Sequence, residues 1–161
     1  MSITTDHVDR RTAVSTAVAQ NFFCTLATSS AEHRPHVAGV LYALVGRDLY
    51  VHTDRPSRKA RNIAENPRAA VCVVIPTGPD APPNTVSIQG TATLLELDHP
   101  EVRALIDGGQ LASITSHGEL ERPDTCFVKF SPGPTASSYG VGVSEEDLAA
   151  DPLSAFGRVP W

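Results

Sequence analysis

The N-terminal stretch Thr5-Asp6-His7-Val8-Asp9-Arg10-Arg11-Thr12-Ala13-Val14 has the spacing of a capped helix, which extends over about residues 4–21 with Val8, Ala13, Val14, Ala17 and Val18 on one side. The period then changes from helical to extended. Phe22 to Thr28 is rich in aromatic and β-prone residues and reads as a strand; Ser29 to Arg34 is a polar turn. His36 to Leu44 reads as a second strand, Gly46-Arg47-Asp48 as a hairpin turn, and Leu49 to Thr53 as a third strand, the three forming a meander.

A helix interrupts the strands. Pro56 and Ser57 open it, Ala60, Ile63 and Ala64 give it an apolar stripe, and Asn66-Pro67 ends it. Ala69 to Ile75 is a nearly continuous apolar strand, and the proline-rich run from Pro76 to Pro83 is a loop. Thr85 to Leu97 is a long strand, Pro100 to Asp107 a short helix before Gly108-Gly109, and Thr125 to Ser131 a last strand. Residues 110–122 are ambiguous, and the tail 132–161 reads as irregular apart from a turn of helix at Ser144 to Ala150. Six or so strands in meander order with inserted helices predict a mainly β protein, a small antiparallel barrel in one domain spanning 1–161. The tail is too weakly apolar to fold alone, so it drapes over the barrel or reaches a partner.

Composition narrows the setting. The chain has 161 residues, 41% hydrophobic, enough for one sizeable core. No run approaches the ~18 apolar residues of a membrane span, and the N-terminus lacks a basic segment followed by an apolar one, so a cytoplasmic protein with no membrane partner is expected. A formal net charge of −5 argues against nucleic acid as the main partner. Cys24, Cys72 and Cys126 lie far apart in strand-like runs with no metal-ligand spacing, and read as reduced core residues.

Against this acidic background, Arg55, Arg58, Lys59, Arg61 and Arg68 cluster around one helix. A helix start offers free N–H groups, Ser57 adds a hydroxyl, and Arg58 and Lys59 add charge; together they suit a phosphate monoester. The same charges also suit a solvated basic helix face, and charge alone does not separate the two. The segments around this cluster do. Ser57-Arg58-Lys59-Ala60-Arg61-Asn62-Ile63 and Asn66-Pro67-Arg68-Ala69-Ala70-Val71 resemble the cofactor-phosphate segment of the pyridoxamine-phosphate-oxidase-like split-barrel family. Leu26-Ala27-Thr28, Arg34-Pro35-His36-Val37 and Asp48 to Thr53 are similar to that family's first strands, and Val86 to Ala92 to its long strand.

The resemblance implies a split antiparallel β-barrel, a homodimer, and a groove between subunits that holds FMN, or alternatively the deazaflavin coenzyme F420. It implies that Ser57, Arg58 and Lys59 hold the phosphate, that His36, Val37 and the residues up to Val40 run beneath the ring together with His52 and Thr53, and that Gln89 lies near the ring. An oxidoreductase passing hydride to a small organic molecule follows; a non-catalytic flavin- or haem-binding protein is the alternative, with His117 the candidate axial ligand. The chain departs from the true oxidases at its end, where Phe156-Gly157-Arg158-Val159-Pro160-Trp161 lacks their substrate-gripping Trp, Arg and His, so the substrate is open.

Other signals carry less. His33 and His36 form HxxH without a completing ligand, so no metal site is expected; Gly140 to Ser144 lacks a phosphate loop's ending; no nucleophile elbow surrounds Ser15, Ser87 or Ser113. Tyr139 and Trp161 are aromatic residues that could cover a ring or pack on an apolar patch.

Overall fold

The computed structural model describes residues 3–161, with side chains from Arg10 onward. Helix α1 (Ile3–Gln20) sets Val14 and Val18, four apart and fully buried, against the sheet. Val8 and the expected cap at Thr4–Thr5 fall outside the described side chains. Strand β1 (Phe23–Ser29) alternates strictly, with Cys24, Leu26 and Thr28 inward and Phe23, Thr25 and Ala27 outward. It pairs antiparallel with β2 (Pro35–Leu41), for example Cys24 with Val40.

The run expected as one strand from His36 to Leu44 is broken at Tyr42. Its N–H donates to Phe22 O at 2.8 Å and its buried hydroxyl to Val18 O at 2.5 Å, which pulls the residue under α1. The chain restarts as β3 (Ala43–Val45), turns at Gly46 (φ +61°), and returns as β4 (Asp48–Asp54). The expected meander is therefore corrected: β4 does not sit beside β2 but pairs with the last long strand. Helix α2 (Arg58–Glu65) carries the chain across, so β5 (Arg68–Ile75) returns on the far side of β1. Strand β5 then pairs with β6 (Asn84–Glu96), and β6 with β7 (Thr125–Tyr139). The order is β2-β1-β5-β6-β7-β4-β3, with β8 also on β7.

Tail residues 132–161 are a second correction. Strand β7 was expected to stop at Ser131, and Pro132 and Pro134, which remove ladder donors, lie in its continuation. Both prolines fall where the β6–β7 register shifts, between Ile88 paired with Ala136 and Gly90 paired with Pro132, so the strand passes through them and continues to Tyr139. Helix α5 of the tail (Glu145–Ala150, after α3 and α4 below) is capped by Ser144, whose Oγ accepts the Asp147 N–H at 3.0 Å, as the sequence suggested. Strand β8 (Phe156–Pro160) then pairs with β7. Arg10 of α1 secures it, donating to Phe156 O at 3.1 Å and Ser154 O at 2.9 Å. Trp161 packs on the core, its indole N–H donating to Arg47 O at 3.2 Å.

The result is a mostly antiparallel sheet curled into a half-barrel with a few helices. Its concave side buries Leu26, Val51, Val73, Ile88, Val128 and Phe130 beneath α1 and α2. A second cluster on the opposite face of β4 and β7, containing Tyr50, Leu95 and Phe127, is roofed by the expected helix α3 (Pro100–Asp107) and by α4 (Ala112–Thr115), which with a 3₁₀ turn at Glu119–Glu121 occupies the stretch 110–122 that the sequence left ambiguous. No helix among the described residues is long and apolar enough to cross a membrane. Cys24 and Cys126 are buried as expected, whereas Cys72 is half-buried and faces outward on β5.

The register shift depends on glycine. A Cβ at Gly90 would sit 2.2 Å from Ser131 O, a contact that only backbone movement can relieve. Gly90→Ala should therefore destabilise the fold by about 1–3 kcal/mol, the usual cost of overpacking, seen as a lower urea midpoint at unchanged slope.

Candidate functional site

Helix α2 starts where Ser57 takes extended backbone angles (φ −63°, ψ 152°) and its Oγ accepts the Ala60 N–H at 3.3 Å. The same hydroxyl lies 3.0 Å from Thr53 Oγ1, which is buried, so the end of β4 and the start of α2 are tied together. The helix buries Ala60, Asn62 and Ile63. Asn62 Nδ2 donates to Thr28 Oγ1 at 3.0 Å inside the barrel, fixing the helix against β1. His36 stands beside Thr28 in the register, half-buried, and its Nδ1 has no partner within reach.

That rotational setting separates Arg58 from Lys59, neighbours in sequence and about 100° apart around a helix. Arg58 and Arg61, one turn apart, join Arg34 of the β1–β2 turn around a recess of about 330 Å³ that Glu32 and Glu65 also border. No ion pair among the described residues engages any of these three guanidinium groups. Arg55, by contrast, is held by Glu96, and Arg122 by Asp54 at 2.5 Å. Lys59 turns the other way, where its charge acts on His52 and Cys126.

His52 lies outside this arrangement. Its ring meets Phe127 edge-on with centroids 5.8 Å apart, and Nε2 is 3.3 Å from Thr125 Oγ1, so it belongs to the second cluster's rim. Burial pulls its pKa below the ordinary 6.5, aided by the charges of Arg122 and Lys59 and opposed by Asp54 and Glu119. His117 is a surface residue, its side chain 78% exposed beside Glu119.

The outward face of the half-barrel is built of small side chains in registered rows. One row runs Gly39, Thr25, Cys72, Ser87, Ser137 and Arg158 across β2, β1, β5, β6, β7 and β8; the next runs Val37, Ala27, Ala70 and Gln89. A recess of about 290 Å³ lies on these rows, and a more open groove of about 1040 Å³ adjoins it along Ala27, Ala70 and Gln89. The groove continues past Asn66 and Arg68 to Glu65, which borders the Arg58 recess as well. Three depressions thus follow one path, with Arg58 at one end, Val37 and Arg158 at the other, and Gln89 where the last two meet.

Of the residues singled out in the sequence, the path brings together Arg58, Arg61, Arg68, Val37 and Gln89. Ser57 and Thr53 shape its helix from behind, His36 faces the interior, and Lys59 and His52 point away. Thr25, Ser87, Ser137 and Arg158 were missed as lining residues. The two-residue period of each strand marks which of them face outward, yet only the pairing register shows that they share a row.

A mostly antiparallel sheet curled into a half-barrel with a few helices is the fold of the split-barrel proteins. The chain belongs to the pyridoxamine 5'-phosphate oxidase family, whose profile matches residues 11–133. A pyridoxine/pyridoxamine 5'-phosphate oxidase from Alkalilimnicola ehrlichii is 48% identical over 65 residues, which are 38% of this chain and 32% of that protein, so the likeness spans about a third of the relative. The fold is similar to that of HutZ, the haem storage protein of Vibrio cholerae, with a TM-score of 0.69 and 18% identity over 80% of this chain and 94% of that one. A haem-binding protein of Mycobacterium smegmatis gives a TM-score of 0.69 at 19% identity over 99% of this chain and 59% of its own. An FAD-binding protein of Mesorhizobium loti gives 0.64 at 19% over 80% and 90%. At these identities the structures speak for the fold alone.

Because the folded His52 takes up its proton at lower pH than the unfolded residue, stability should fall as pH drops through 6.5 toward the folded value. Thermal melts from pH 7.5 to 5 should show a steeper loss in the native chain than in His52→Gln; equal slopes would place the acid sensitivity elsewhere.

Proposed function

We propose that the protein is a flavin-dependent oxidoreductase that binds FMN along the path between Arg58 and Gln89 and transfers hydride with a small organic molecule. The observation that supports it most directly is the convergence of three guanidinium groups, Arg34, Arg58 and Arg61, unpaired among the described residues, at one end of a groove that leads to a flat face whose one charge, Arg158, lies at its far edge. A phosphate is matched by planar bidentate donors, and a ring system by small side chains that let it lie close. The residues present therefore fit the group. Bound flavin would supply the redox chemistry, while Arg58 and Arg61 hold its phosphate, Ala27 and Ala70 seat its ring, and Gln89 offers an amide to the ring edge. Ser57 contributes by capping the helix that presents Arg58.

FMN suits this path better than a deazaflavin with a polycarboxylate tail. Glu32 and Glu65 border the cationic recess, and Arg55, a candidate for the tail, is neutralised by Glu96. Haem would need an axial ligand; His117 is exposed and borders none of the three depressions, and His33, which does line the groove, is an exposed residue of the β1–β2 turn.

We also infer a homodimer. Phe22 and Val37 are each 63% exposed, and Phe23 and Leu41 each 45%, on the outer edge formed by β1 and β2. Such a run of large apolar side chains marks a surface that a partner covers. Sedimentation should give a dimer, and Val37→Glu should give a folded monomer with an unchanged far-ultraviolet spectrum. A native monomer that binds FMN tightly would contradict the shared surface.

Arg58→Ala should weaken FMN binding about tenfold or more, since a charge-assisted hydrogen bond contributes about 1.5–3 kcal/mol, and Lys59→Ala should weaken it less. Flavin fluorescence titration reads both. Undiminished affinity in Arg58→Ala and Arg61→Ala would exclude this phosphate site, and tighter, steeply salt-dependent binding of F420 would reverse the choice of cofactor. Turnover of a reductant with an acceptor distinguishes an enzyme from a carrier.

A further inference from the structure

The recess shares Ala27, Ala70 and Gln89 with the groove in which the flavin ring is seated above, and it extends beyond them to Arg158. Beside the apolar Val37, Val71 and Ile88, the recess sets Thr25, Ser87 and Ser137 in one registered row that ends in Arg158. Arg158 is the one cation among its lining residues, no carboxylate accompanies it there, and no ion pair or hydrogen bond engages its guanidinium among the described residues. An arginine left unpaired over a surface of hydroxyl groups is a ready anion receptor, since its fork presents two parallel N–H groups to a carboxylate, sulfonate or phosphate.

The backbone holds the residue in place. Strand β8 alternates, with Val159 buried and Gly157 packed against Arg10, where a Cβ would lie 2.4 Å from Nη1. Arg158 between them must therefore face outward, paired in register with Ser137. The two hydrogen bonds from Arg10 to the carbonyls of Ser154 and Phe156 fix the start of the strand. The strand thus places Arg158 on the recess side of the sheet, in the row next to that of Gln89.

We infer that Arg158 is the selecting residue of this recess and that the recess takes a small organic anion, a compact body carrying one carboxylate, sulfonate or phosphate. This rests on the flavin reading only in making that anion the substrate; the recess and its cation are independent of it. The hydroxyl row of Thr25, Ser87 and Ser137 accepts or donates hydrogen bonds to the body of the ligand, and the recess volume of about 290 Å³ limits it to roughly a single ring.

The test uses the full-length chain and benzoate as probe, with benzyl alcohol as its uncharged counterpart, at constant ionic strength. In amide shift mapping by NMR, benzoate should move Ser87, Ser137 and Arg158 to saturation while benzyl alcohol does not. Arg158→Gln should weaken benzoate about tenfold or more, and Arg158→Lys, which keeps the charge but loses the fork, should fall between. Equal affinity in Arg158→Gln, no saturation, or shifts centred on Arg34, Arg58 and Arg61 would each overturn the assignment. Sedimentation and FMN titration of Arg158→Gln complete it: loss of the dimer or of FMN affinity would make Arg158 an interface or cofactor contact and overturn it also. Failure of the native chain to bind FMN would defeat the flavin reading and leave the benzoate result to decide this one.

Discussion

The pairing of β6 with β7 is the constraint on which the rest of the molecule depends. At 13 and 15 residues, these strands serve both hydrophobic clusters; β5 pairs with β6, β4 and β8 with β7, and β1, β2 and β3 join the sheet only through these. Between Ile88 with Ala136 and Gly90 with Pro132 the register moves by two, so that Gly133, Pro134 and Thr135 oppose the single residue Gln89. An even shift preserves the alternation of faces. Val86, Ile88 and Ala92 remain inside together, as do Phe130 and Ala136. An odd shift would have turned half of each strand inside out and divided the outer rows between two faces. The same irregularity sets Gln89 at the junction of recess and groove, with Gly90 and Gly133 small enough to let the backbones meet.

Charge is arranged by a similar economy of fixed contacts. Arg55 with Glu96 and Arg122 with Asp54 fasten the approach to α2 from two sides, on largely exposed pairs that contribute little to stability but define where their charges sit. Inside, the hydrogen bond from Asn62 to Thr28 sets the helix rotation, and being buried it is costly to break. With Asn62 and Ile63 turned inward, Arg58 and Arg61 must share the outer side toward Arg34. The unpaired cations of this recess are thus a consequence of how the helix packs, while Arg55 and Arg122 beside it are held by Glu96 and Asp54. An acidic chain keeps a cationic recess at α2 in this way.

Most of the local structure was legible because each strand alternates and each helix is punctuated. The bounds of α3 and β4 follow from Pro100 with Gly108 and from the turn at Gly46, and α2 from Ser57 and Asn66. Strand order was not legible, since nothing in the period of β1 tells whether β2 alone or also β5 pairs with it. The extension of β7 was hidden by Pro132 and Pro134, whose usual meaning is reversed only where a partner strand is irregular. The split at Tyr42 escaped because a buried tyrosine hydroxyl with one carbonyl acceptor looks, in sequence, like any aromatic strand residue. Within the site, charge clustering found Arg58 but could not tell it from Lys59, because the direction of each depends on Asn62. It also overlooked Arg34, twenty-four positions away and adjacent only in space.

The outer face carries the strongest constraint on function. A solvated sheet face is normally dressed in long polar and charged side chains, and charged residues make up 19% of this chain. Yet from Gly39 to Arg158, and from Val37 to Gln89, the two rows hold one charge, at their far edge. Short side chains give up little area to water and little entropy on being covered, so such a face is better suited to contact than to exposure. Phe23 already leans over Gly39, where a Cβ would meet its ring at 2.9 Å, and so the flatness at that corner depends on glycine. In the proposed arrangement a second copy covers the apolar edge of β1 and β2, a flavin lies along the groove, and the recess stays open at Arg158. Each of these needs the same thing from the sheet, side chains that end close to the backbone, and that common requirement explains why one face can serve all three.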